Sequence, residues 1–265
     1  MLLKDKTIVI VGGSGAIGAA SARVFAREGA RVALGGRSLG RLDAVAAGIR
    51  NEGGAAEAFE VDALDAAATT AAIATLAGRV GDIDAMVNAT SFMHDQGSTI
   101  DALDLAGFMR PVETFLPALF NVAKAVVPYM GRRRQGVVLT LSTPAGRTAT
   151  PGHLGYTVTC AGVEAFTRVL AAELGPRNIR AVCLAPHAIS DAPAAGSYTA
   201  GLFAPKATAL GLSVEDWLGG AAASTMLGRL PTLEDVAETA AFLVSDRARS
   251  MTASYVNLSA GMIPE

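Results

Sequence analysis

Residues 8–18 read IVIVGGSGAIG, four consecutive β-branched apolar residues running directly into a cluster of glycines. An unbroken Val/Ile run marks a parallel strand that is covered on both faces. From Ala16 to Glu28 the sequence supports a helix, with Ile17, Val24 and Phe25 on its apolar side. Between the two, Gly13, Gly15 and Gly18 follow the spacing G-x-G-x-x-G. Strand, glycine turn and helix in this order suit a dinucleotide. Residues without Cβ let backbone approach a pyrophosphate, and the helix N-terminus offers free N–H groups and partial positive charge to it. The same order also makes a tight turn with no ligand, and the glycine spacing alone does not choose between the two. The first candidate cofactor site is therefore Gly12, Gly13, Ser14, Gly15, Ala16, Ile17 and Gly18.

The rest of the chain alternates in the same way. Strands are predicted over 31–35, 58–61, 84–88, 136–141, 179–184 and 253–258. Helices are predicted from about Ser38, a candidate cap, to Asn51, over 65–77, from about His153 to Gly175, and over 233–244 behind Thr232. A further long helical stretch ends near 128–130 and is expected to break at Pro111 and Pro117. Such alternation predicts a doubly wound α/β fold, with about seven parallel strands, helices on both faces and right-handed crossovers. Ligands bind such folds at the carboxyl ends of the strands, where strand order reverses. At 265 residues one domain is the economical reading, with residues 190–228 as a substrate-binding lobe inserted over one end of the sheet.

Charge and composition exclude several classes. A net charge of -2 gives no reason to expect nucleic acid or an acidic membrane surface. The one basic run, Arg132 to Arg134, precedes Gln135-Gly136 and reads as a solvated loop. Two cysteines, Cys160 and Cys183, are too few for a disulfide framework or a zinc site, so no metal is expected. The N-terminal residues lack a signal-peptide layout, and no apolar stretch is long enough to span a bilayer, which makes a reducing cytoplasmic setting the expectation.

An NAD site carries an acid about 20 residues past the glycine cluster, on the ribose 2′-hydroxyl. Here that position reads Gly35-Gly36-Arg37. The Arg37 guanidinium can take a 2′-phosphate by charge-assisted bonds, or it is an ordinary exposed loop arginine. On the first reading NADP(H) is favoured over NAD(H). Asp62, just past the third strand, either accepts from an adenine amino group or caps the next helix.

At this point the chain resembles a short-chain dehydrogenase/reductase over nearly its whole length. VGGSGAIG at 11–18 is similar to that family's TGxxxGIG, with Val11 for Thr and Ala16 for the middle Gly. Gly36-Arg37, Val61-Asp62, Pro186-His187-Ala188-Ile189 and the tail from LGRLPTLEDVAETAAFLVSD onward also fit. The resemblance implies a Rossmann fold. It also implies cofactor contacts at Ser38, Asp62, Ala63, Asn88, Ala89, Thr90, Tyr156, Pro186, His187 and Ile189, and a homodimer or homotetramer. The family's reductases use Asn, Ser, Tyr and Lys. Tyr156 stands at the Tyr position, Thr143 at the Ser position with Ser142 beside it, Cys160 at the Lys position and Phe115 at the Asn position.

An unperturbed tyrosine has a pKa near 10, so about one molecule in a thousand is ionised at pH 7. In the family a lysine lowers it. A thiol at i+4 reaches the same helix face but brings no positive charge, and a thiolate would raise it. Thr143 keeps a hydroxyl that can orient a carbonyl, whereas Phe115 cannot hold a relay water. A neutral tyrosine remains a general acid for reduction and is a poor base for oxidation. Two readings follow. One is an NADP(H)-dependent oxidoreductase that reduces a carbonyl or an activated C=C of a small molecule, with Tyr156, Thr143 and Ser142 as its catalytic residues. The other is a dinucleotide-binding sensor or partner subunit without catalysis. His153, His187 and His94 are either catalytic or ordinary polar residues, and Cys160 is either a nucleophile or a small buried residue. Phe203, Leu210, Trp217 and Met226 either line a pocket or pack the lobe onto the core.

Overall fold

The computed structural model describes residues 1–264. In chain order its elements are β1 (Thr7–Val11), α1 (Ala16–Arg27), β2 (Arg31–Gly36), α2 (Leu39–Asn51), β3 (Ala55–Glu60) and α3 (Ala66–Val80). Then come β4 (Ala85–Asn88), α4 (Leu105–Val126), β5 (Gly136–Leu141), α5 (Leu154–Leu174) and β6 (Ile179–Pro186). The chain finishes with α6 (Thr199–Ala209), α7 (Val214–Ala223), α8 (Leu233–Val244) and β7 (Ser254–Leu258). Seven strands form one sheet in the order β3-β2-β1-β4-β5-β6-β7, and every neighbouring pair is parallel.

Period-2 geometry explains why β1 is apolar from Ile8 to Val11. Ile8 and Ile10 point to one face, among Phe25 of α1, Leu34 of β2 and Val236 and Leu243 of α8. Val9 and Val11 point to the other, among Ile73 of α3, Met86 of β4, Leu119 and Val122 of α4 and Val163 of α5. From Ile8 on, each alternate side chain has a helix layer to bury it, so no polar residue follows Thr7 in the strand. A third, smaller cluster of Leu202, Phe203, Leu218 and Leu230 holds α6 and α7 together. The neck of this segment is closed where the Ser190 N–H donates to the Pro231 carbonyl over 3.0 Å, and the Leu227 N–H donates to the Ala260 carbonyl just past β7 over 3.1 Å.

Strand order reverses between β1 and β4, whose carboxyl ends lie side by side, with Val11 opposite Asn88. Two glycines make that junction possible. Gly12 has φ +88°, and a Cβ there would stand 2.3 Å from the Ala89 carbonyl oxygen. A Cβ on Gly18 would stand 2.2 Å from the Gly12 carbonyl oxygen. Gly15, in contrast, meets only the Gly12 oxygen at 3.3 Å and has φ -76°. Gly18→Ala is therefore expected to lower unfolding free energy by about 2–3 kcal/mol or more, since neither backbone can yield without moving a strand end. Gly15→Ala is expected to cost about 1 kcal/mol or less. Urea denaturation of the two variants checks the contrast, and equal midpoints would contradict it.

Three local expectations are corrected. β3 begins at Ala55 rather than at residue 58, because an edge strand needs no long apolar run. α4 is one helix of 22 residues with Pro111 and Pro117 inside it. An interior proline costs a helix about 3 kcal/mol, but the buried stripe through Ala118, Leu119, Val122 and Val126 holds this helix to the sheet. Asp62 does not cap α3. That cap is Asp65, which accepts from the Ala68 N–H, while Asp62 accepts from the Leu64 N–H in the preceding turn. Ser38 occupies the cap position of α2 without a side-chain hydrogen bond. The basic run is anchored, with Arg133 on Asp82 and Arg134 on Asp84.

Candidate active site

A cavity of about 370 Å³ opens at the carboxyl ends of β1, β4, β5 and β6, roofed by α6 and α7. It gathers candidates from distant parts of the chain. Gly15, Ala16 and Ile17 come from the turn into α1, Asn88, Ala89 and Thr90 from the end of β4, Ser142 and Thr143 from the end of β5, and Tyr156 from α5. Pro186, His187 and Ile189, at and beyond the end of β6, complete the wall. Gly12, Gly13, Ser14, Gly18, Arg37, Ser38, Asp62 and Ala63 do not line it. They belong to the β1 turn, the first helix and the ends of β2 and β3, further along the same edge of the sheet.

Tyr156 is placed by helix packing. A Cβ on Gly155 would stand 2.4 Å from the Phe108 carbonyl oxygen, so glycine lets the start of α5 press onto the α4 backbone. The Phe115 ring of α4 meets Tyr156 edge-on at 6.1 Å, and Phe115 in turn packs on Phe92 at 5.3 Å and His94 at 5.7 Å. The His94 ring stacks on the Tyr156 ring, with centroids 4.3 Å apart and planes 15° apart. His94 Nδ1 lies 2.8 Å from the Phe92 carbonyl and therefore carries the proton, which leaves Nε2 to accept from the Gln96 amide at 3.0 Å. Burial holds the His94 pKa below its usual range, so a neutral ring faces the phenol.

Electrostatics around the phenol are one-sided. Burial pushes the Tyr156 pKa well above its usual range, and Cys160 and Tyr198 add to the rise while the Thr143 hydroxyl opposes it. Cys160 is 3% exposed, and burial raises its own pKa, so it stays a thiol. Its sulfur lies 3.5 Å from Thr143 Oγ1. Ser142 is buried, and its hydroxyl donates to the Cys160 carbonyl over 3.2 Å, joining the end of β5 to α5. Both hydroxyls line the cavity, but that of Ser142 is engaged with the α5 backbone, which leaves Thr143 as the hydroxyl beside the Cys160 thiol.

The residues fit a dinucleotide. α1 starts with no side-chain cap and no acid in its first turn, so its N–H groups face the groove. Beyond Gly15 no protein atom but the Gly12 oxygen crowds the space. Arg37 is exposed and makes no hydrogen bond or ion pair among the described residues. Asp62 is exposed, and the Ala63 carbonyl accepts from Asn121 of α4, which fixes that loop. Burial lowers the His187 pKa, and a neutral imidazole stands in the wall next to Pro186.

Sequence reasoning missed the most polar part of the cavity. Lys206 of α6 donates to Gln96 Oε1 over 2.8 Å and to His153 Nε2 over 3.1 Å. Of the lobe residues considered as lining, Phe203 and Trp217 do line the cavity, with ring centroids 4.7 Å apart and planes tilted by 32°. Leu210 and Met226 are 67% and 74% exposed and lie outside it.

The family model described as enoyl-(acyl-carrier-protein) reductase matches residues 12–263. The chain belongs to the short-chain dehydrogenase/reductase family. It is 28% identical over 262 residues to 3-oxoacyl-[acyl-carrier-protein] reductase of Chlamydia muridarum, with 98% of each chain covered. It is 29% identical over 260 residues to 2-(S)-hydroxypropyl-CoM dehydrogenase 3 of Xanthobacter autotrophicus, covering 98% of this chain and 97% of that one. A Burkholderia xenovorans structure described as a short-chain dehydrogenase/reductase superimposes with a TM-score of 0.85 at 26% identity, covering 98% and 97%. Members of this oxidoreductase family share the seven-stranded parallel sheet seen here. No helix among the described residues is long and apolar enough to cross a membrane, and they contain no cluster of metal-ligating side chains.

Proposed function

We propose that this short-chain dehydrogenase/reductase is an NADP(H)-dependent reductase of a small carbonyl compound or activated alkene, working with an atypical site. The observation that carries the reading is the Tyr156 phenol beside Thr143 on the cavity wall, without a cation to ionise it. Such a phenol is a proton donor at any physiological pH. The turn Gly12 to Gly18 and the start of α1 would hold the pyrophosphate, Arg37 and Ser38 the adenosine end, and Asn88 to Thr90 and Pro186 to Ile189 the nicotinamide end. Bound there, the cofactor supplies a hydride. Tyr156 donates its phenolic proton to the substrate oxygen, and Thr143 orients that oxygen by a hydrogen bond. Cys160 and Phe115 stand where the family's reductases carry Lys and Asn, so neither a cation nor a polar side chain supports the proton's replacement. That favours reduction over alcohol oxidation, which needs a base.

The missing cation also supports the second reading, a dinucleotide-binding sensor or partner subunit. Titration of the purified protein with NADPH and NADH, followed by a reductase screen, separates the two. NADPH is expected to bind at least about tenfold tighter than NADH, and Arg37→Ala is expected to remove that preference by losing a charge-assisted phosphate contact. An unchanged preference in the variant would dismiss Arg37 as its source. Phe120 of α4 and Leu154, Val158 and Val169 of α5 are exposed apolar side chains, which supports a homodimer or homotetramer built on these helices. Buried free thiols at Cys160 and Cys183 suit a reducing cytoplasm.

A further inference from the structure

Among the residues that line the cavity, Lys206 is the one Lys, Arg, Asp or Glu. It is half-buried and forms no ion pair among the described residues. Asp95 acts on it through space, but both Asp95 oxygens are engaged by Ser98, through its N–H and its hydroxyl. Two neutral acceptors, Gln96 Oε1 and His153 Nε2, orient the ammonium, and its third N–H has no acceptor among the described residues. His153 is fixed as an acceptor because its Nδ1 proton goes to the Pro151 carbonyl over 3.0 Å. A half-buried cation in a largely apolar cavity, with Asp95 acting only through space and no direct ion pair, gains from a ligand that brings an opposite charge into contact. The Phe203–Trp217 pair lies beside it, with the Lys206 nitrogen 5.9 Å from the indole centroid.

We infer that Lys206 is the substrate-anchoring residue of this site, and that the substrate is a small oxo acid whose carboxylate pairs with Lys206 while its carbonyl lies at Tyr156. The inference rests on the reductase reading for the carbonyl end only. Gln96 and His94 stand between the ammonium and the Tyr156 ring, so carboxylate and ketone are separated along the carbon chain rather than adjacent, and a 5-oxo acid serves as the probe. The cavity must also take the nicotinamide end, which leaves room for a compact acid.

Trp217 is the sole tryptophan of the chain and lines this cavity, so its fluorescence reports binding without turnover. The NADP⁺-loaded protein is titrated with 5-oxohexanoate and, separately, with its uncharged methyl ester. The acid is expected to give a saturable signal with Kd at least about tenfold lower than the ester, the scale of one charge-assisted contact. Lys206→Met and Lys206→Gln are both expected to abolish that difference, and Lys206→Arg to keep most of it. Two uncharged variants guard against a folding defect in either. Equal binding of acid and ester by the parent protein, or retained preference in a folded Lys206→Gln variant, overturns the inference. Acid bound through Lys206 but never reduced with NADPH leaves the anchor standing and sinks the reductase reading instead.

Discussion

Replacing Tyr156 with Phe is expected to lower kcat for carbonyl reduction by about 10²–10⁴-fold, the usual contribution of a positioned general acid. NADPH affinity is expected to change little, because the ring and its stack on His94 remain. The parent enzyme's pH profile makes the assignment sharper. A general acid works in its protonated form, so activity fails as pH rises through its pKa. Burial, then Cys160 and Tyr198, hold the Tyr156 pKa well above 10, which moves that failure beyond the alkaline range usually assayed. Activity attributable to Tyr156 should therefore be flat from neutral pH to about pH 9. A Tyr156→Phe variant with parental kcat would transfer the proton donor's role to another group and favour reduction of a polarised alkene.

Cys160→Lys is expected to raise carbonyl reduction by about tenfold or more. A cation within a few ångströms favours phenolate and lowers a phenol's pKa by about 1–3 units. Position 160 is four residues past Tyr156 on the same face of α5, and its side chain reaches the cavity wall. A lysine stem can pass along that apolar wall with its ammonium in the cavity. Two effects should appear together in a pH–rate series: a higher plateau, and a falling alkaline limb at lower pH than in the parent. An unchanged rate, with tight NADPH binding in both proteins, would argue for the non-catalytic reading.

Local patterns carried most of the fold. The β1 run, the turn behind it and the alternation of strands with helices are set by neighbours in sequence, and they matched the sheet and its helices. Where burial from afar decided the outcome, the sequence was silent. The prolines of α4 say break, and only the sheet beneath Leu119 and Val122 holds the helix whole. The glycine spacing picked out Gly13, Gly15 and Gly18; of these Gly18 makes the closest backbone approach, and a second one falls on Gly12, outside the spacing, because its neighbour is Ala89 beyond β4. In the cavity, Tyr156, Thr143 and Cys160 were legible through the resemblance to the family's pattern along β5 and α5. The His94 stack and the Lys206–Gln96 pair were not, since the latter joins residues 110 positions apart. One signal was available: Lys206 is the single charged residue between Asp191 and Glu215.

The Ser190–Pro231 hydrogen bond closes the neck of the segment that carries α6 and α7, and the segment has an apolar cluster of its own. In evolutionary terms this makes it a cassette. Its exchange between relatives would have to preserve that neck, the Leu227–Ala260 backbone bond and the place of Ala192 in one sheet-face core, while the other sheet-face core stays untouched. Selection for new substrates can then act on Phe203, Lys206 and Trp217, while Gly12, Gly18 and the strand ends stay under a constraint that has nothing to do with the substrate.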